Sequence, residues 1–154
     1  MFGASPLVGE AGRRREAPRA GEGEAPLTAR ILLIEDHEDN RRIVRDLMGS
    51  VGYELSEATT GEDGVAEAEA HPPDLILMDI QLPGIDGYEA TRRIKANPAL
   101  AHIPIIAVTS YALSGDELKA RAAGCDDYVT KPFSPRALLA KIREHLPISG
   151  GQGG

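Results

Sequence analysis

Tryptophan is absent, and phenylalanine and tyrosine together supply only 4% of the residues, so aliphatic side chains must fill any core. The single cysteine, Cys125, rules out an internal disulfide and a cysteine-built zinc site. It follows Gly124 at the start of a short apolar segment and reads as a small buried hydrophobe. No apolar run approaches the roughly 20 residues needed to span a bilayer. The N-terminus lacks the apolar stretch of a signal peptide, and Arg13-Arg14-Arg15 comes too late to be its charged start. A cytoplasmic protein is therefore expected. Basic charge is also short, with a formal net charge of -7. Four Arg and four Glu cancel within residues 1–28, which leaves 13 basic against 20 acidic residues in 29–154. Such a surface repels a phosphate backbone, and nucleic-acid binding is not expected.

The 154 residues hold one ordinary domain and little more. Residues 1–28 are rich in Gly, Pro, Ala and charge without any hydrophobic period, which predicts a disordered N-terminal extension. The domain is expected over 29–146, with 147–154 a flexible Gly-rich tail. Within it, strands and helices alternate. The first helix, about Glu38 to Val51, shows Ile43, Leu47 and Val51 as one stripe with Val44 and Met48 beside it. Thr60 is the expected N-cap of a second helix that ends before His71-Pro72-Pro73. A third runs from about Gly87 to Ala96, stopped by Asn97-Pro98. Ser114-Gly115-Asp116-Glu117 reads as a capping box opening a fourth helix that closes at Gly124. Ser134 and Pro135 open the fifth, whose apolar face is Leu138, Ile142 and Leu146.

Strands separated by helices imply a parallel sheet covered on both sides. Ile31–Ile34, Leu75–Met78 and Ile105–Val108 are unbroken apolar runs, as expected of central strands. Tyr53–Glu57 alternates and the Tyr128-Val129 segment is short, so these two read as edges. The result is an α/β, doubly wound, five-stranded parallel sheet of order 2-1-3-4-5, the flavodoxin-like arrangement. Ligands of such sheets sit at the carboxyl ends of the strands. There the first strand runs into Glu35-Asp36, the third into Asp79, the fourth into Thr109-Ser110 and the fifth towards Lys131-Pro132.

Three carboxylates in one crevice repel one another, by about 4 kcal/mol per pair at 4 Å and an effective dielectric of 20. A cation must compensate. All-oxygen ligands with an open face suit Mg²⁺, or alternatively Mn²⁺. A metal and the Lys131 ammonium on either side of a carboxylate can neutralise an incoming phosphoryl group. The carboxylate between them can then attack to give an aspartyl-phosphate, and the Thr109 hydroxyl can donate to the new phosphate.

These residues, with Ile80-Gln81-Leu82-Pro83-Gly84-Ile85-Asp86-Gly87 after Asp79 and Lys131-Pro132-Phe133, resemble the motif of the receiver domain of bacterial response regulators, the CheY-like domain. The resemblance covers about Ala29 to Leu146, and separations of 43, 30 and 22 residues between Asp36, Asp79, Thr109 and Lys131 agree with it. It implies that Asp79 is the phosphoacceptor and that Mg²⁺ is held by Asp36, Asp79 and the backbone carbonyl of Gln81, with Glu35 acting through water. It also implies Lys131 as the phosphate-binding lysine with a cis bond to Pro132, and Thr109 with Tyr128 as a switch pair. Asp74 to Pro83 and His102 to Thr109 further resemble the DivK-type single-domain regulators. The implied partners are a histidine kinase or histidine phosphotransfer protein, and a downstream protein read through the face of the fourth helix, fifth strand and fifth helix. No membrane partner is implied, and the only catalysis implied is the domain's own phosphotransfer and autodephosphorylation.

Gln81 and Tyr111, each two positions past a site residue, are candidates to tune phosphate lifetime. His37, Asn40 and Arg41 lie just beyond the acidic pair, and His37 reads as a solvated helix start, with contact to the metal's water shell the alternative; His71, His102 and His145 form no ligand set. An aspartate-nucleophile phosphatase of the haloacid dehalogenase type would need a second Asp where Gln81 stands, and room for a cap domain. A nucleotide-binding module would need a Gly-rich loop where Glu35-Asp36-His37-Glu38-Asp39 stands. A receiver that docks without phosphate is the third alternative. With only Pro147 to Gly154 after the last helix, no output domain is expected.

Overall fold

The computed structural model describes residues 28–110 and 115–146. Five strands, β1 (Arg30–Ile34), β2 (Glu54–Ala58), β3 (Leu75–Asp79), β4 (Ile105–Thr109) and β5 (Asp127–Thr130), alternate with five helices. The helices are α1 (Glu38–Val51), α2 (Gly61–Ala70), α3 (Gly87–Ala96), α4 (Asp116–Ala123) and α5 (Pro135–His145). All strand pairs are parallel, in the order β2-β1-β3-β4-β5, as the run composition implied. The tails expected at residues 1–28 and 147–154 lie outside the described residues except for Thr28, as do Tyr111 and Ser114.

Alternation along the strands builds two cores. Ile31, Leu33, Leu75, Leu77, Ile106 and Val108 point to one face, where Val44 and Met48 of α1 and Leu138 and Ile142 of α5 cover them. Leu32, Ile34, Ile76, Met78, Ile105 and Ala107 point to the other, under Ala68 of α2, Ala90 and Ile94 of α3 and Ala120 of α4. The α1 contact line therefore runs through Val44 and Met48, four residues apart. Ile43, one residue and about 100° round the helix from Val44, is 48% exposed, which corrects the stripe expected through Ile43. Thr60 and Ser134 cap α2 and α5 as expected, accepting from the amides of Asp63 and Ala137. The box expected at α4 is not its cap. Gly115, at φ 101°, occupies the N-cap with no side-chain bond, while Gly124 at φ 113° closes the helix as expected.

Register carries the polar residues to one edge. Ile34 pairs with Met78, Asp79 with Val108 and Thr109 with Thr130. The ladder continues one residue past the strands, with amides of Glu35, Ile80 and Lys131 donating to Ala58, Val108 and Thr109 carbonyls at 3.0, 3.0 and 2.7 Å. The backbone beneath each functional side chain is thus fixed. Gly87, the first residue of α3, lies against this frame. A Cβ there would overlap the Asp79 carbonyl and come within 2.7 Å of Ile80 Cα. We expect Gly87→Ala to lower the unfolding free energy by about 1–3 kcal/mol, read by urea titration, because backbone atoms, unlike a flexible side chain, cannot step aside.

Candidate functional site

At the carboxyl edge of the sheet, Glu35, Asp79 and Thr109 are buried, and the Asp79 residue is only 1% exposed. Lys131 reaches across from the end of β5, its side chain 13% exposed. Its ammonium lies 2.9 Å from Glu35 Oε1 and 3.4 Å from Asp79 Oδ1. The Lys131–Pro132 peptide is cis. Asp79 Oδ1 also accepts from the Gln81 amide at 3.2 Å. Among the described residues, Asp79 Oδ2 is buried with no hydrogen-bond partner, as is Asp36 Oδ1. His37 Nδ1 stands 3.2 Å from that Asp36 oxygen, close enough for an ion pair but not in hydrogen-bond geometry.

Burial raises the Asp79 carboxyl and the charge of Glu35 raises it further; Lys131 and the Gln81 amide offset only part of this, leaving a pKa of about 6 against an ordinary 3.8. Burial also works against charge on Glu35. There the bonds from Lys131 and the His37 amide, together with the Lys131 charge, outweigh it and hold the carboxyl below its usual range. Two neighbouring acids are thus pushed apart, with Glu35 the firmer anion.

The site assembles Glu35, Asp36, Asp79, Gln81 and Lys131 with buried Thr109 at the end of the adjacent strand. Tyr128 is half-buried in β5 and packs against the core beneath α2, α3 and α4. His37 is the exposed N-cap of α1, the solvated helix start expected of it, and it also touches the acidic pair. Its backbone amide donates to Glu35 Oε2 at 3.0 Å, and its ring Nδ1 lies 3.3 Å from the same oxygen. The contact made by Glu62 was not anticipated: from the first turn of α2 it accepts the Ile85 amide at 3.3 Å and so ties down the loop after Asp79. The sequence signal for that bond was Gly84, whose φ of 74° turns the loop back towards α2.

Glu35, Asp36, His37 and Asp79 each offer one ligand atom, all within 4.8 Å of one another. Orphaned, buried carboxylate oxygens are the chemistry a hard divalent cation satisfies. The donor set fits such an ion.

A doubly wound sheet with this acidic crevice and lysine defines a receiver domain, and the chain belongs to that family: the family model "Response regulator receiver domain" matches residues 31–143. Among its relatives, the polar-differentiation response regulator DivK of Brucella abortus is 42% identical over 120 residues, covering 78% of this chain and 98% of DivK. DivK of Brucella anthropi is 42% identical over 116 residues, covering 75% and 94%. The receiver domain of sensor histidine kinase PA1611 from Pseudomonas aeruginosa superposes with a TM-score of 0.73 at 38% identity, covering 77% of this chain and 98% of that one. That structure has a magnesium ion coordinated in its active-site cleft. A response regulator from Chloroflexus aurantiacus gives a TM-score of 0.74 at 27% identity, covering 77% and 97%. Among the described residues, no helix is long and apolar enough to cross a membrane.

A pKa near 6 has a measurable consequence. Because the folded-state value lies above 3.8, protonation of Asp79 favours the fold: its contribution to stability is greatest below 3.8 and is lost as pH rises through about 6. Carboxyl ¹³C NMR of the metal-free protein should show Asp79 titrating near 6, and Lys131→Met should move that midpoint upward by removing the nearby cation.

Proposed function

We propose that this chain is a DivK-like phosphoacceptor that takes a phosphoryl group on Asp79 from a histidine kinase or histidine phosphotransfer protein and signals through protein binding. The observation that carries the proposal is the division of labour around Asp79. One oxygen faces Lys131 and the Gln81 amide, while the other is buried without a partner. In this reading Asp36 and Asp79 hold Mg²⁺ with the Gln81 carbonyl, and Glu35 acts through water. Bound there, the ion would neutralise phosphoryl oxygens and relieve the carboxylate repulsion. Mn²⁺ satisfies the same donors.

An Asp79 oxygen attacks phosphorus as the bond from phosphorus to the donor imidazole nitrogen breaks, and the electron pair leaves with the imidazole. Lys131, held between Glu35 and Asp79, is placed to take up charge on a phosphoryl oxygen. Buried Thr109, paired in register with Thr130, donates its hydroxyl to the product. Half-buried Tyr128 follows Thr109 inward, and the α4–β5–α5 face changes shape. Phosphate acts by shifting the balance between two states that already exist. Gln81, half-buried beside the acceptor, and Tyr111 are the residues we assign to phosphate lifetime. Ile43 on α1, 48% exposed, and Leu118 on α4, 73% exposed, give the two helix surfaces apolar contacts to offer a protein partner.

Acetyl phosphate with Mg²⁺ should label the wild type, with the adduct mapped to Asp79 and labile to hydroxylamine. Asp79→Asn should abolish labelling while keeping the fold, since the amide preserves shape but cannot attack; labelling that survives moves the acceptor elsewhere. NMR shifts on adding beryllofluoride should spread from Asp79 to Tyr128 and α4 in the wild type and stop short of Tyr128 in Thr109→Ala. Shifts confined to the acidic crevice would leave docking without phosphate as the better account.

A further inference from the structure

Only Glu35, Asp36 and His37 join β1 to α1, and they carry the acidic pair. The Asp36 side chain does little to fix itself, since its buried Oδ1 has no hydrogen-bond partner among the described residues. Its place is set by the backbone on either side. The Ala58 carbonyl holds the Glu35 amide at 3.0 Å, and Glu35 Oε2 holds the His37 amide at 3.0 Å. The carbonyls of Glu35 and His37, which flank Asp36, are both taken by one residue. Arg41 donates through its backbone amide to the His37 carbonyl at 3.0 Å and through Nη1 to the Glu35 carbonyl at 3.1 Å.

A guanidinium can hold a carbonyl in place only if it is itself held. All three Arg41 side-chain nitrogens face an acceptor: besides Nη1, Nη2 donates to Glu38 Oε1 at 2.6 Å and Nε lies 3.3 Å from Glu57 Oε1. The side chain is 15% exposed. Glu57 belongs to β2, paired in register with Leu33 of β1, and Arg45 grips both of its oxygens at 2.7 Å. The fork thus reaches from a helix and a strand to the peptide that precedes Asp36. Fixed, planar N–H directions suit that task, whereas an ammonium is a point charge. Arg42, one residue on, is paired instead with Asp39 at 3.7 Å and is largely exposed.

We infer that Arg41 is a positioning residue for phosphoryl acceptance: by gripping the turn at both ends it presets Asp36 for the divalent cation, through the backbone and not through its charge. This role rests on the Mg²⁺ reading of the crevice and adds to it a residue outside the acidic set. Charge alone predicts the opposite. A guanidinium beside these carboxylates repels a divalent cation, so its neutralisation should tighten Mg²⁺ binding. Loss of the grip should weaken binding instead, because Asp36 must then be ordered at the expense of the ion's affinity.

The test is calorimetric titration of the full-length protein with MgCl₂, joined to ¹⁵N NMR of the metal-free protein and to acetyl phosphate labelling. Arg41→Gln should weaken Mg²⁺ by about tenfold. It should also shift the Asp36 amide resonance before any metal is added, because the carbonyl of that same peptide loses its donor. Labelling should fall at limiting Mg²⁺ and return to within about twofold of the wild type at saturating Mg²⁺, which a general structural lesion would not allow. Arg45 keeps Glu57 paired in this variant, so no carboxylate is stranded. Arg41→Lys retains the charge without the fork and should not restore affinity. Glu57→Gln, which loosens the anchor, should weaken Mg²⁺ about threefold alone but by less than about twofold on top of Arg41→Gln, since both act through one network. Arg42→Gln removes the same charge from the same helix and should leave Mg²⁺ within about twofold. Binding that is unchanged or tighter in Arg41→Gln, or weakened equally by Arg42→Gln, overturns the positioning role while the phosphoacceptor reading stands. If the wild type neither binds Mg²⁺ nor takes label, both fail.

Discussion

Two carboxylates and one ammonium, packed together at the carboxyl edge of the sheet, set the terms for everything around them. Glu35 and Asp79 are buried at the ends of adjacent central strands, and Lys131 stands between them. One positive charge cannot satisfy two negative ones away from water. The unpaid share appears as a raised pKa at Asp79 and an orphaned oxygen on each of Asp36 and Asp79. The fold tolerates this local cost because the surrounding backbone is over-determined. Ladder bonds run past the strand ends, Gly87 wedges α3 against the Asp79 carbonyl, and Glu62 ties down the loop beyond it.

That constraint explains why so much of the site was legible in sequence. A carboxylate after a fully apolar strand has few places to go, and parallel strands in register deliver their ends to the same edge. Glu35, Asp36, Asp79, Thr109 and Lys131 could therefore be placed together before any coordinate was known, and the strand order followed from which runs were wholly apolar. The helix faces were harder. Ile43 and Val44 are equally apolar, and only packing against Leu138 and Ile142 of α5 decides that Val44 goes inward. At α4 the Ser-x-x-Glu pattern suggested a box, yet Gly115 occupies the cap because its φ of 101° suits a residue without a side chain.

His37 shows a different limit. Read alone, a histidine at a helix start is unremarkable, and nothing in its spacing shows that an exposed ring also touches a buried carboxylate. Its significance comes from the turn between β1 and α1, which brings its own amide onto Glu35 Oε2 and carries the ring back over the acidic pair. The same turn aims Arg41 at the Glu35 carbonyl and at Glu57 on β2. Local backbone geometry, not residue type, made these neighbours. Contacts of this kind lie between residues so close in sequence that periodicity says nothing about them.

At the far end of β5 the charges are balanced rather than crowded. Asp127 is 3.0 Å from Lys141 and 2.9 Å from His145, both on α5, while Arg121 of α4 donates to the Asp126 carbonyl at 3.1 Å. The strand is four residues long, so its first residue is tied to α5, with α4 bonded just before it, and its last leads directly into Lys131. Lys95 of α3 also reaches this region, pairing with Asp126 at 3.0 Å. A displacement of Lys131 at the site has no flexible loop to absorb it before it meets those bonds. The carboxyl end of β5 stands beside the orphaned oxygens of Asp36 and Asp79, whereas its amino end is fully tied by charge to α5. A short strand bonded to α5 at its amino end leads at its other end into the lysine that sits between Glu35 and Asp79, so four residues of backbone join the acidic crevice to the bonds made with α4 and α5.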